Sequence, residues 1–213
     1  MAGSSEAFVD LLEAVARVLP EHRDELNRLD GVAGDGDLGL TVEAACRALV
    51  ELAPELRDLP EAEAIGRCGR EIARRAPSTG GTLVAFAFMA AGKAGVDPDA
   101  PGVARAAGYL DAAATSVAQR GQVSVGDRTM LDALRPAADA LLAAADAGGG
   151  PTDGVAAAGH AAEAGAKATA SMAAKVGRAG WLADRAAGNE DAGARLVAFA
   201  VDSAARHVGG LRE

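Results

Sequence analysis

The apolar half of this chain is built mostly from alanine, and its larger hydrophobic residues recur three and four positions apart. Half of the residues are hydrophobic but only 3% are aromatic. The Val-, Ile-, Thr- and Tyr-rich runs that mark strands are missing. Alanine is the strongest helix former, and small side chains let helices approach closely. An all-α fold is therefore expected. Phe8, Leu11, Leu12, Val15, Val18 and Leu19 share one helical face over residues 4–19. Ser4 or Ser5 is placed to cap that helix, and Pro20 suits the first turn of a continuation to about Leu29. Further helices are expected at about 40–53, 60–76 with Ile65, Cys68 and Ile72 as its stripe, 80–95, 101–121, 127–146, 152–176 and 192–211. The 80–95 segment is apolar nearly all round and is expected to be the most buried.

With the first two segments taken as one, eight helices result. Their connections are mostly short, so neighbours run antiparallel in an up-and-down array. No linker marks a boundary, and residues 1–213 read as a single domain. The formal net charge of −9 argues against a nucleic-acid partner, which needs clustered Lys and Arg. Cys46 and Cys68 fall in apolar helical patterns and read as small core residues. The N-terminal stretch lacks the charged and apolar regions of a signal peptide. The longest apolar run, "TLVAFAFMAAG", is too short to cross a bilayer. A cytoplasmic protein with no membrane partner is the expectation.

Position along the array separates bland connections from chemically unusual ones. The second, fourth and sixth are "PELRDLP", "GVDPDAP" and "AGGGP". The first, third, fifth and seventh contain Asp30 to Leu38, "APSTGG", "RGQVSVGD" and "GRAGWLADRAAGNEDAG". In an up-and-down array the odd connections share one end, so the glycines, carboxylates and arginines collect there.

In "GDGDLG" and the residues just before it, Asp30, Asp35 and Asp37 fall in one glycine-rich bend. Hard cations such as Mg2+ take oxygen ligands and often bridge carboxylates to phosphate oxygens, and glycine lets the backbone bend so that alternate side chains converge. An EF-hand does not fit, because counting from Asp35 puts Gly39 and Cys46 at ligand positions five and twelve. The competing reading is a solvated acidic turn that caps the next helix. "STGGT" (78–82) offers backbone amides at a helix start to an anion, or simply a Ser cap with glycines needed for packing. "GDRTMLDAL" (126–134) places Asp127 to cap a helix, with Met130 at its mouth. The long seventh connection carries Arg178, Arg185, Trp181 and Asp191. Arginine is suited to fork-like phosphate contact. His22, His160 and His207 are scattered and form no nucleophile–base arrangement.

Together, "LDGVAGDGDLGLTV", "STGGTLVAFAF", "GDRTMLDALRPAADAL" and "GAKATASMAAKVGRAGWLADRAAGNEDAGA" resemble the nucleotide-binding L subunits of dihydroxyacetone kinases, the DhaL type. The resemblance runs over essentially the whole chain. It implies an antiparallel eight-helix barrel with a nucleotide at one end. It implies that Asp30, Asp35 and Asp37 hold two Mg2+ ions bridging the phosphates of ADP or ATP. It carries nucleotide contact onto Leu38, Gly39, Leu40 and Thr41, and phosphate contact onto Thr79 and Gly80, with Gly81 beside them. Gly121 and Met130 fall where the family encloses base and sugar. Arg178, and Asp191, Ala192 and Gly193, fall where the last loop closes over the nucleotide. It also implies a partner, a K-type subunit that holds a small keto-sugar such as dihydroxyacetone, and either ATP or a phosphotransferase-system protein as phosphoryl donor. Acceptor-activating residues are then expected on the partner. The chain departs from the family pattern at Leu38, in "STGGT" and in "DAGA". The readings left open are a kinase subunit for a short keto-sugar, a helical regulatory or scaffolding module that keeps the fold and ADP without transferring phosphate, and a kinase for an unrelated acceptor.

Overall fold

A computed structural model describes residues 5–176 and 187–210 of the chain. The chain opens with α1 (Glu6–Val18), a 3-10 turn (Leu19–His22) and α2 (Arg23–Asp30). There follow α3 (Leu38–Leu56), α4 (Glu61–Arg75), α5 (Thr79–Ala91), α6 (Gly102–Gly121), α7 (Leu131–Asp146), α8 (Pro151–Ala168) and α9 (Ala192–Gly210). With α1, the turn and α2 as one bent segment, the described residues form eight helices, and no strand occurs among them. Each helix packs on the next in sequence, and α9 packs on α8 on one side and on α1 and α2 on the other. The array thus closes into an all-α barrel. No described helix is long and apolar enough to cross a membrane.

The core is a belt of four clusters around the ring rather than one central mass. One joins α1, α3, α4 and α5 through Leu49, Leu56, Cys68 and Ile72. Others follow between α5, α6 and α7, between α6, α7, α8 and α9, and at the seam of α1, α2, α3 and α9. Small residues allow the close approach that the alanine content predicts. A Cβ on Gly69 would lie 2.6 Å from the carbonyl oxygen of Ala85, and one on Gly165 would run into the carbonyl oxygen of Asp132. Cys46 and Cys68 are buried free thiols, as expected.

Four local expectations change. The 80–95 helix is not the most buried. On α5 only Gly81, Ala85, Ala87 and Ala91 are fully buried, whereas α7 buries the larger Leu131, Leu134 and Leu141 among others. In a closed ring every helix has an outer face, and the large side chains of α5 sit only half inside. Ser5 does not cap α1 with its side chain. Its hydroxyl instead donates to Leu56 O at the far end of α3, at 2.5 Å. The helix expected at 127 begins at Leu131, because the Asp127 carboxylate accepts from Ser124 N–H and pairs with Lys175 Nζ at 2.9 Å. The helix expected to reach 176 stops at Ala168. Buried Thr169 turns its hydroxyl back onto Ala166 O, and such local side-chain bonds compete with the helical ladder.

Candidate functional site

The first unusual connection is folded by its own acid. Asp30 ends α2, and its Oδ2 accepts from the N–H groups of Gly36 at 2.8 Å and Asp37 at 3.1 Å. Gly36 has φ +76, which a side chain would resist. The bend brings one carboxylate oxygen from each of Asp30, Asp35 and Asp37 to within 4.8 Å of one another. At such separations each like-charged pair costs on the order of 1–4 kcal/mol, a repulsion that a divalent cation reverses. Asp37 occupies the N-cap position of α3, yet its side chain makes no capping bond, which removes the main support for the plain capping reading. Asp30 is half-buried and Asp35 and Asp37 are exposed, an arrangement that suits a hard cation keeping room for water and phosphate oxygens. The donor set therefore fits Mg2+.

The start of α3 is pressed onto α2. Gly39 N–H donates to Asn27 Oδ1 at 2.7 Å, and a Cβ on Gly39 would run into the carbonyl oxygen of Arg23. Leu38 and Thr41 are half-buried, Gly39 is buried and Leu40 is exposed. The sequence reading missed Asn27. It stands three residues before Asp30, but its role rests on a bond across twelve positions.

The start of α5 lies beside the start of α3, since a Cβ on Gly80 would sit 3.7 Å from Leu38 Cδ1. Ser78 caps α5, its Oγ accepting from Gly81 N–H at 3.0 Å. The Gly81 amide is thus engaged, while Thr79 and Gly80 stand in the first turn, where N–H groups have no intrahelical acceptor. Gly121 closes α6 against Leu83 of α5. Beyond it, Met130 meets the start of α9, where a Cβ on Gly193 would lie 3.2 Å from Met130 Cβ.

Behind Met130 lies a buried polar group that the sequence reading did not find. Arg128, with φ +63, and Asp132 are both almost fully buried. Arg128 Nη2 donates to Asn189 O at 2.9 Å. Asp132 Oδ1 accepts from Gly126 N–H at 2.5 Å and its Oδ2 from Thr129 N–H at 2.8 Å. Thr169 Oγ1 accepts from Asp191 N–H at 2.8 Å. Asp191 Oδ1 in turn accepts from Ala194 N–H at 2.8 Å, capping α9. Desolvation, opposed by the Ala194 amide and the Arg128 charge and assisted by Asp132, pushes the Asp191 carboxyl up to about 6. Asp191, Ala192 and Gly193 thus stand together at the α9 start. Arg178, Trp181 and Arg185 lie outside the described residues. The described candidate site residues, 30–41, 79–81, Gly121, Met130 and 191–193, flank helix ends that the up-and-down array places at one end of the barrel. His22 stacks on Phe199 with centroids 3.7 Å apart, at the α1–α9 seam rather than in the site.

Comparison with known proteins gives the family of the chain. Residues 32–206 match the DAK2 domain, and the chain belongs to this family, that of the DhaL-type L subunits of dihydroxyacetone kinases. It is 32% identical over 206 residues to an L-erythrulose 1-kinase of Mycolicibacterium smegmatis, covering 94% of this chain and 35% of that protein. It is 30% identical over 196 residues to the ADP-binding subunit DhaL of the PEP-dependent dihydroxyacetone kinase 2 of Listeria innocua, covering 89% of this chain and 88% of that one. The crystal structure of the C. freundii dihydroxyacetone kinase in complex with AMP-PNP and Mg2+ aligns with a TM-score of 0.72 at 27% identity, over 97% of this chain and 35% of that one. The chain spans about a third of the length of the first curated relatives it matches, and most of the length of the separate DhaL subunits.

Proposed function

We propose that this chain is the nucleotide-binding subunit of a dihydroxyacetone-type kinase, which binds ADP or ATP with Mg2+ and passes a phosphoryl group to a small keto-sugar held on a separate K-type subunit. The observation that carries the reading is the convergence of three carboxylate oxygens within 4.8 Å at the barrel end where α3, α5 and α9 begin. Names of relatives support it, since they include an ADP-binding subunit and kinases of dihydroxyacetone and erythrulose. Closure of α9 onto α1 and α2 supports reading the chain as one such domain.

In this reading Asp30, Asp35 and Asp37 hold two Mg2+ ions. The ions would supply neutralisation of phosphate charge and alignment of the transferred group. The chain's own residues bind and orient. Leu38, Gly39, Leu40 and Thr41 bring the α3 backbone up to the nucleotide. The amides of Thr79 and Gly80 face phosphate oxygens, and Gly81 keeps α5 capped and close. Gly121 and Met130 enclose base and sugar, while Asp191, Ala192 and Gly193 form the opposite wall and Arg178 adds positive charge. In this reading the proton on the acceptor is moved by the partner subunit. The donor is ATP, or a phosphotransferase-system protein that recharges bound ADP.

The test is reconstitution with a K-type subunit and ATP–Mg2+, with dihydroxyacetone and erythrulose as acceptors. Wild-type protein should support transfer, and Asp35→Asn should abolish it. Full transfer by Asp35→Asn would overturn the assignment. ADP binding with no transfer to any acceptor would favour the regulatory or scaffolding reading.

A further inference from the structure

We infer that Arg128 and Asp132, both almost fully buried, are the positioning residues that set the gap between Met130 and Gly193 and so fix the base-and-sugar half of the pocket. The inference rests on the nucleotide-binding reading above and adds residues that reading does not use.

Three features carry it. First, the 126–130 turn is held in a conformation it would not adopt by itself. Arg128 sits at φ +63, a region that non-glycine residues enter at a cost and mostly at constrained sites. The Asp132 carboxylate holds it there by taking the amides on both sides of Arg128, those of Gly126 and Thr129. Second, the Arg128 side chain crosses to the other wall and donates to Asn189 O, two residues before Asp191. One side chain thus ties the turn bearing Met130 to the segment that leads into Gly193. Third, the second wall is itself fastened to α8 and to the turn that follows it. Thr169 Oγ1 takes Asp191 N–H, Gly188 N–H donates to Ala170 O, and Arg195 pairs with Glu190 and Glu163.

The surroundings make a purely stabilising role a poor explanation. Arg128 and Asp132 are 4% and 2% exposed at the edge of a core made largely of alanine. Charged groups buried this way are often no more stabilising than apolar residues of similar volume, and can be retained because they fix one geometry. The geometry fixed here is the contact of Met130 with Gly193, where a single Cβ would fall 3.2 Å from Met130 Cβ. The backbone of the three-aspartate bend is held by Asp30, and the start of α3 by Asn27, whereas the opposite wall is held by Asp132 and Arg128, so the two halves of the pocket rest on different side chains.

The experiment compares wild type, Arg128→Lys and Asp132→Asn, both conservative in volume, in the nucleotide-stripped chain. Mn2+ binding alone, Mn2+–pyrophosphate binding and Mn2+–ADP binding are measured by calorimetry, with thermal melts alongside. Expected is a weakening of ADP binding by about tenfold or more in both variants, with Mn2+ and pyrophosphate affinities within about twofold of wild type. ADP affinity unchanged in both variants would overturn the inference. So would a parallel loss of metal, pyrophosphate and ADP binding that tracks a fall in melting temperature, which would mark a general structural role. A wild type that binds metal but no ADP would overturn the nucleotide reading itself, and this inference with it.

Discussion

Neutralising Asp191 should make the protein more stable at neutral pH than at acid pH, relative to wild type. The residue keeps part of its surface, but desolvation of its carboxyl pushes it from 3.8 up to about 6. Below the ordinary carboxylate value the group is protonated in both folded and unfolded chains and contributes nothing to pH dependence. Between that value and about 6 the unfolded chain releases the proton first, so stability falls as pH rises. Above about 6 the whole penalty is present. A rise of this size is worth about 3 kcal/mol at full desolvation, and about 2 kcal/mol once residual exposure screens it. Asp191→Asn keeps an oxygen to accept from Ala194 N–H, so the α9 cap survives. The assay is urea unfolding of wild type and Asp191→Asn at pH 4, 5, 6 and 7 without nucleotide. The stability of the variant minus that of wild type should increase by about 1.5–2.5 kcal/mol from pH 4 to pH 7, since the unfolded chain has begun to release the proton by pH 4. Any pH-independent cost of the substitution drops out of that change. A flat difference would mean that Arg128 keeps Asp191 ionised throughout, and the account of this buried group would be wrong.

Gly39→Ala places a methyl group against the Arg23 carbonyl at the α2–α3 contact. It should cost about 1–3 kcal/mol in denaturant unfolding and weaken Mn2+ binding, and an unchanged variant would refute the close approach. Burial pushes both the Cys46 and Cys68 thiols up to about 12. Neither should react with an aromatic disulfide reagent at pH 8 until the protein is unfolded, and rapid labelling of either in the native state would contradict its place in the core.

Much of the fold was legible because alanine-rich stripes with helical spacing admit few alternatives, and short connections force neighbours antiparallel. The grouping of the unusual loops at one end followed from that parity alone, and Gly80 beside Leu38 and Gly193 beside Met130 agree with it. The three aspartates were legible because their spacing is local. What escaped was set by contacts distant in sequence. Asn27 reads as an ordinary polar residue on α2 until Gly39 is seen to donate to it. Asp132 looks like a second acid near a helix start, while its neighbour Asp127 looks like the better cap. The choice between them is made by Lys175, which draws Asp127 away, and by the turn at Arg128. Thr169 interrupts an otherwise continuous helical pattern because Asp191, 22 positions on, supplies a donor for its hydroxyl. The all-round apolar character of α5 misled because a barrel wall has no central position for such a helix to fill.

The most direct test of the central claim is calorimetric titration of ADP and ATP into the nucleotide-stripped chain, with and without Mg2+. The account predicts binding that requires Mg2+ and is lost in Asp35→Asn. Binding indifferent to Mg2+, or no binding of either nucleotide, would contradict it and return Asp30, Asp35 and Asp37 to the role of an acidic turn.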